Sequence, residues 1–146
     1  MYIMKQLLLL ILLALTAMPT DAQEYPKVIL PGDYPDPSIM REGEDYYMTH
    51  SPFFYAPGFL IWHSKDLVNW EICSNIIDDL TQISESLNWT RMDRYGRGVW
   101  AGTLRHHNGR FYLFFGTPDE GYFMTSTAHP EGPWEPLTPL LAEAVV

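Results

Sequence analysis

Residues 107–115 read HNGRFYLFF, a tight turn followed by an aromatic strand, and this stretch decides the fold. Asn-Gly between two β-rich runs is among the strongest short signals of a β-hairpin. An earlier stretch, 41–49, has the same form: it reads REGEDYYMT, with a turn around glycine followed by two tyrosines. The aromatic pairs begin at Tyr46 and Phe111, 65 residues apart. The sequence therefore predicts two related hairpins.

Each hairpin belongs to a longer unit with the same order of features. Both units continue through a loop and a further β-rich run, 60–64 in the first and 121–127 in the second, and end in Trp-Glu, at Trp70-Glu71 and Trp134-Glu135. Fixed-period units of about four short strands are typical of β-propeller blades. A β-sandwich is the alternative, but it does not predict the repeated Trp-Glu ending. We therefore expect an all-β chain with two blades, separated by an insertion that has a helical turn or two within 76–87.

The composition excludes several classes of protein. The chain has 146 residues, of which 47% are hydrophobic and 18% charged, so wholesale disorder is not expected. A net charge of −9 and a pI near 4.8 argue against a nucleic-acid partner, because few cations are available to neutralise phosphates. Cys73 is the single cysteine, which excludes an internal disulfide framework and any cysteine-based zinc site.

The first 22 residues have the features of an export signal. Lys5 supplies a positive charge, Leu7 to Leu15 form an apolar run, and Thr20 and Ala22 are small residues before a cleavage site ahead of Gln23. Nine apolar residues are too few to span a bilayer, which needs about 20. We therefore expect a signal at 1–22, a domain at 23–146, a secreted or periplasmic location and no membrane contact after cleavage.

A candidate catalytic carboxylate lies just before the first strand. Asp36 stands between Pro35 and Pro37, and a residue flanked by prolines has little backbone freedom. A general base needs a carboxylate held in a fixed direction, because proton transfer requires a defined hydrogen-bond distance. From the residues alone, a turn that caps the strand is the competing interpretation of Asp36.

Several motifs together resemble glycoside hydrolase family 43. They are VILPGDYPDPS at 28–38, DYYM at 45–48, IWHSKDLVNW at 61–70, and VWA at 99–101 followed by the Asn-Gly hairpin. The resemblance runs from about Lys27 to Trp134. It implies a five-bladed β-propeller that hydrolyses β-xylosides, α-L-arabinofuranosides or arabinans with inversion of configuration, and it makes Asp36 the general base.

The resemblance also implies two further carboxyl groups. The general acid of the family is a glutamate in a later blade, so we expect it beyond Val146. A second aspartate of the family orients the base and raises the pKa of the acid, and threonines occupy both of its expected positions, Thr103 and Thr117. Asp119, two residues after Thr117, is the tentative candidate for this pKa modulator. An ordinary turn aspartate is the alternative.

Sugar sites use flat aromatic surfaces, and three aromatic residues are candidates for substrate binding. Phe53 and Phe54 lie in the loop of the first unit, and Trp100 begins the second. Blade packing is the alternative for each. It is the preferred interpretation of four strand aromatics: Tyr46, Tyr47, Phe111 and Tyr112.

No cofactor is expected. His106 and His107 point to opposite faces of a strand and lack a companion ligand cluster, so we do not expect zinc. The resemblance leaves room for a calcium ion in the channel of a full propeller, with ligands from other blades.

The sequence is compatible with three functions. The first is an exported glycosidase that acts on an oligosaccharide or polysaccharide. Two blades cannot close a propeller, so we expect this activity to require further C-terminal blades. The second is a non-catalytic glycan-binding propeller, favoured by the two threonines. The third is a degenerate remnant.

Overall fold

The described part of the chain contains two four-stranded antiparallel sheets, each built from consecutive strands. The computed structural model describes residues 27–90 and 96–141, together with Gln6. Apart from Gln6, the predicted export signal at 1–22 lies outside the described residues. The all-β prediction is confirmed.

The first sheet has the strand order β1-β2-β3-β4 and the second β5-β6-β7-β8. The strands of the first are β1 Ser38–Glu42, β2 Asp45–Thr49, β3 Gly58–Ser64 and β4 Glu71–Ile77. Those of the second are β5 Trp100–His107, β6 Arg110–Thr117, β7 Gly121–Thr127 and β8 Thr138–Leu141. Two short 3₁₀ helices, Leu80–Gln82 and Glu85–Leu87, lie between the sheets in sequence, where a helical turn or two is predicted.

Turn chemistry places the first hairpin of each sheet. Asn108 and Gly109 both have positive φ, 48° and 73°, as a type I′ turn requires, and the strands they join pair from His107 with Arg110 onward. In the first sheet Gly43 supplies the positive φ, 59°. Both predicted hairpins are confirmed because their turn residues favour this geometry locally.

The hydrophobic core lies between the two sheets. Alternation along β6 directs Leu113 and Phe115 toward the first sheet, where Phe59 is fully buried and its ring lies 4.9 Å from that of Phe115. A second cluster joins Tyr47 to Phe111, with ring centroids 5.2 Å apart. Both of these strand aromatics are buried, as their predicted packing role requires.

Gly102 allows this close packing. A Cβ at this position would lie 2.5 Å from Cε1 of Phe59 and 3.1 Å from Cδ1 of Leu113. Any larger residue would therefore displace the Phe59 ring or the packing of the two sheets around it.

The Trp-Glu endings are the least accurate part of the repeat prediction. The units do not close on Trp-Glu, because the fourth strand begins at Glu71 in the first sheet and at Thr138, after Glu135, in the second. Trp134 packs against both core clusters and its indole Nε1 donates a hydrogen bond to Ser74 Oγ of the other sheet at 3.3 Å. Trp70 instead donates to a carbonyl in its own loop.

Each sheet also has a face turned away from its neighbour. The outer face of the second sheet exposes large apolar side chains around a recess of about 490 Å³: Trp100, Phe114, Tyr122 and Leu140. No helix among the described residues has the length and apolar character needed to cross a bilayer.

Candidate active site

Asp36 lies in the short segment that leads into β1, between its two prolines. Its φ is 51°, a left-handed value that is uncommon for a residue other than glycine. The residue is exposed, and its Oδ2 accepts a hydrogen bond from Ser51 Oγ at 2.8 Å. The structure thus holds the carboxylate in a defined direction at the surface, as the predicted general base requires. Its catalytic role stays a prediction.

Ser51 connects Asp36 to the second sheet. It follows β2 and is 2% exposed. Its backbone N–H donates to the carbonyl of Pro35 at 2.9 Å, and its Oγ accepts the backbone N–H of Ala101 at 2.6 Å. Ala101 belongs to β5, so one serine joins the segment around Asp36 to the first strand of the other sheet.

Three of the six non-glycine residues with positive φ in the described part of the chain lie at this junction. Phe53 and Val99 exchange two backbone hydrogen bonds, at 3.1 and 3.0 Å, which form an isolated bridge between the sheets. Phe53 and Ala101 both have positive φ, 53° and 44°, as Asp36 does. Residues in sparsely populated backbone regions persist where their surroundings hold them, and they cluster at functional sites. The geometry therefore marks the junction as the candidate active site.

Two of the three predicted sugar-binding aromatics meet at this junction. The rings of Phe53 and Trp100 approach edge to face, with centroids 6.0 Å apart, and Trp100 keeps 42% of its surface exposed. Phe54 packs against Tyr55 instead, with centroids 4.5 Å apart. The structure brings Phe53 and Trp100 together beside Ser51, whereas Phe54 belongs to a separate pair in the same loop.

Asp119 lies in the turn between β6 and β7, paired with a cation. Its Oδ2 accepts from Arg97 Nε and its Oδ1 from Arg97 Nη2, both at 2.5 Å. This bidentate contact raises the pKa of Arg97 and compensates the charge of Asp119. A compensated carboxylate of this kind is typical of a structural ion pair. The pKa-modulator role of Asp119 stays a prediction.

Both threonines line the recess on the outer face of the second sheet, and Thr117 is the more buried of the two. Thr117 is buried, and its Oγ1 accepts the backbone N–H of Glu120 at 2.9 Å, so it stabilises the β6–β7 turn. Thr103 pairs with Phe114 and lines the recess on the outer face of the second sheet. An aspartate at position 117 would therefore place a carboxylate in a buried turn.

A second recess, of about 430 Å³, opens beside Ser51 on the outer face of the first sheet. Tyr34 makes edge contacts there with His50 and Trp62, at centroid distances of 5.0 and 5.6 Å. Burial lowers the pKa of His50, and neither of its ring nitrogens has a hydrogen-bond partner within the described part of the chain. The imidazole is therefore held neutral in an aromatic setting.

The described residues offer no donor set for a metal ion. In 27–90 and 96–141, no three His, Cys, Asp or Glu side chains lie close enough together to hold one. The calcium ion that the resemblance allows does not fit these residues, and it stays a prediction for other blades.

Sequence reasoning missed Ser51 and Ala101. Ser51 is 15 residues from the carboxylate it contacts and 50 from the amide it accepts. Only one local signal was available, a small polar residue at the end of a buried strand. The partners become visible only when the two sheets are docked.

Comparison with known proteins identifies the family of this chain. The family model described as Glycosyl hydrolases family 43 matches residues 25–144. A xylosidase/arabinosidase from Butyrivibrio fibrisolvens is 43% identical over 107 residues, which is 73% of this chain and 20% of that protein. A non-reducing end α-L-arabinofuranosidase from Bacteroides ovatus is 34% identical over 132 residues, covering 88% of this chain and 24% of the relative.

Solved structures agree with this result. A xylan β-1,4-xylosidase from Bacillus halodurans has a TM-score of 0.59 at 34% identity, covering 75% of this chain and 22% of its own. A Bacteroides ovatus protein of a xyloglucan utilisation locus has a TM-score of 0.62 at 31% identity, with coverages of 76% and 22%. These neighbours are β-propellers, so the two sheets are propeller blades. The chain spans about a fifth of the length of the relatives it matches, and a total of five blades stays a prediction.

Proposed function

Because this chain belongs to glycosyl hydrolase family 43, we propose that it supplies the general base of a glycosidase that inverts configuration. The observation that supports this function most is the Asp36 carboxylate, exposed where the two blades meet and held by Ser51 Oγ at 2.8 Å. Its substrates are β-xylosides or α-L-arabinofuranosides of plant polysaccharides. Both sugars occur in the names of the relatives.

Asp36 acts on the attacking water. It removes a proton as the water oxygen bonds to the anomeric carbon, on the face opposite the leaving group. A second carboxyl group protonates the glycosidic oxygen while the bond from that oxygen to the anomeric carbon breaks. In inverting enzymes the two carboxyl groups stand about 6.5–9.5 Å apart, which leaves room for the water.

We infer that the second carboxyl group is a glutamate from a further blade, as the family resemblance implies. The relatives are nearly four times as long as this chain, which leaves ample sequence for such a blade. On this proposal, residues 23–146 alone do not supply the general acid. We expect purified 23–146 to leave aryl xylosides and arabinofuranosides intact, and measurable cleavage by it would contradict this assignment.

Phe53 and Trp100 form an aromatic wall next to the base. Their edge-to-face contact fixes two rings at the junction of the blades, and exposed Trp100 offers its surface to the C–H face of a sugar. Phe54 contributes through the adjoining loop, where it packs on Tyr55.

We also propose that the protein is exported to the periplasm or the medium. Residues 1–22 carry the charge and apolar run of a cleaved signal. Mass spectrometry of the protein recovered from its source tests this, with Gln23 expected as the first residue.

The experiment that tests the function uses protein expressed from the complete gene. Hydrolysis of an aryl β-xyloside and an aryl α-L-arabinofuranoside is measured beside titration with xylo-oligosaccharides. Turnover of either aryl glycoside supports the glycosidase. Oligosaccharide binding without turnover would support the second candidate, a non-catalytic glycan-binding propeller, which the threonines at 103 and 117 favour.

A further inference from the structure

We propose that Ser51 is a positioning residue for hydrolysis, which fixes the direction of the Asp36 carboxylate through a hydrogen bond controlled by the second blade. This inference rests on the proposed role of Asp36 as general base. Ser51 itself does not touch substrate in this assignment, since it is 2% exposed beneath the carboxylate.

The direction of the Ser51 hydroxyl proton follows from its two partners. A serine hydroxyl has one O–H to donate and two lone pairs to accept with. The backbone N–H of Ala101 donates to Oγ at 2.6 Å, which occupies a lone pair. An amide N–H cannot accept, so the hydroxyl proton is free to point at Asp36 Oδ2, 2.8 Å away.

This arrangement selects one carboxylate oxygen for catalysis. Oδ2 accepts the hydrogen bond from the Ser51 hydroxyl. This leaves Oδ1 as the oxygen that can bind the attacking water. A hydroxyl is a neutral donor, so it orients the carboxylate without supplying a compensating positive charge. Asp36 is therefore held in place by a donor that carries no charge.

The backbone of Ser51 adds a second constraint on the same segment. Its N–H donates to the carbonyl of Pro35, the residue before Asp36, at 2.9 Å. Ser51 thus makes one hydrogen bond to the main chain just before Asp36 and a second one to the Asp36 carboxylate. Because the third partner, Ala101, lies in β5 at a φ of 44°, the direction of the base depends on how the two blades dock.

Kinetics of protein expressed from the complete gene test this role. We compare the wild type with Ser51→Ala, Ser51→Thr and Asp36→Asn on the aryl glycoside that the wild type cleaves. Loss of one hydrogen bond to a charged group predicts that Ser51→Ala lowers kcat about 10- to 100-fold with KM nearly unchanged. Ser51→Thr keeps the hydroxyl and is expected to recover most of kcat.

A spectroscopic measurement separates positioning from folding. The ¹³Cγ resonance of Asp36 at neutral pH responds to hydrogen bonding, so we expect it to move in Ser51→Ala and to stay close to the wild-type position in Ser51→Thr. Thermal unfolding midpoints of both variants are recorded beside it. A resonance that does not move in Ser51→Ala would overturn the proposal, even if the variant is less stable.

The two proposals fail in different ways. Ser51→Ala with wild-type kcat, or with a raised KM alone, overturns the role of Ser51 while Asp36→Asn still abolishes turnover. If Asp36→Asn keeps its turnover, the base assignment fails and the role of Ser51 falls with it.

Discussion

The two blades follow the same strand pattern, but they treat their candidate carboxylates in opposite ways. In the first blade Asp36 precedes β1, is exposed, and accepts from the hydroxyl of Ser51. In the second blade Asp119 lies in the β6–β7 turn, with both oxygens on the guanidinium of Arg97. The repeat therefore reproduces the sheet without reproducing the site.

The difference between the two partners is the reason why we propose Asp36, and not Asp119, as the general base. The guanidinium of Arg97 compensates the charge of Asp119 through two hydrogen bonds. The Ser51 hydroxyl directs Asp36 and leaves its charge uncompensated. A carboxylate for proton transfer needs direction without a paired cation, and of the two candidate carboxylates Asp36 has this combination.

The largest effect is expected for Asp36→Asn. The amide keeps the size of the side chain but cannot take the proton of water, so kcat should fall about 10²- to 10⁴-fold while oligosaccharide affinity is retained. Protein from the complete gene is assayed by aryl glycoside hydrolysis and calorimetric titration. Glu44→Gln, in the exposed β1–β2 turn, is the matched control. Joint loss of binding and turnover would identify Asp36 as a structural turn residue.

Gly102→Ala tests the docking that brings the blades together. The added Cβ would lie 2.5 Å from the ring of Phe59, so the ring or the sheets must shift, and we expect a loss of about 1–3 kcal/mol in the free energy of unfolding. Gly116→Ala is the control, because its Cβ would meet exposed Tyr122 at 3.1 Å. Denaturant unfolding of the two variants measures the difference. Equal stabilities would show that the close approach of residue 102 to Phe59 does not limit docking.

Trp100→Ala tests the aromatic wall. Contacts of an aromatic ring contribute about 0.5–1.5 kcal/mol beyond the area that they bury. Loss of a contribution of this size to substrate binding predicts a rise in KM of about 2- to 10-fold, with a smaller change in kcat. Trp89→Ala, which removes a more exposed tryptophan (70% exposed) near the second 3₁₀ helix, controls for loss of an indole. If both variants bind oligosaccharide like the wild type, Trp100 belongs to blade packing.

Asp119→Asn tests whether the second carboxylate has only a structural role. An aspartate held only for structure predicts a kcat close to wild type and a slightly lower midpoint of thermal unfolding, since Arg97 loses its charged partner. A large fall in kcat with a displaced pH profile would instead assign Asp119 the pKa-modulator role.

The smallest effect concerns pH and His50. Burial lowers the pKa of His50, so unfolding binds a proton once the pH falls below its ordinary value near 6.5. The contribution of neutral His50 to the free energy of unfolding is therefore complete above about pH 6.5. It declines as the pH falls toward the lower pKa that His50 has in the folded protein. His50→Phe should flatten the decline in the thermal midpoint between pH 7 and 5. An unchanged slope would show that His50 is not the group responsible.

Local chemistry explains which parts of this structure could be predicted from the sequence. Asn108-Gly109 fixes a hairpin by its own backbone preference. A residue before proline prefers extended backbone, so the left-handed φ of Asp36, 51°, depends on the fold. The partners of Asp36 could not be predicted, because Ser51 and Ala101 reach it only after two sheets have docked. The start of the fourth strands could not be predicted either. Their pairing with β3 and β7 determines where they begin.

The most direct test of the central claim is the configuration of the sugar first released. Protein from the complete gene is mixed with an aryl β-xyloside, or an aryl α-L-arabinofuranoside if that is the one it cleaves, and the anomeric ¹H resonances are followed from the first turnovers. A water activated by Asp36 on the face opposite the leaving group predicts the inverted anomer first, with the other appearing only by mutarotation. Initial release of the anomer with retained configuration would contradict the account.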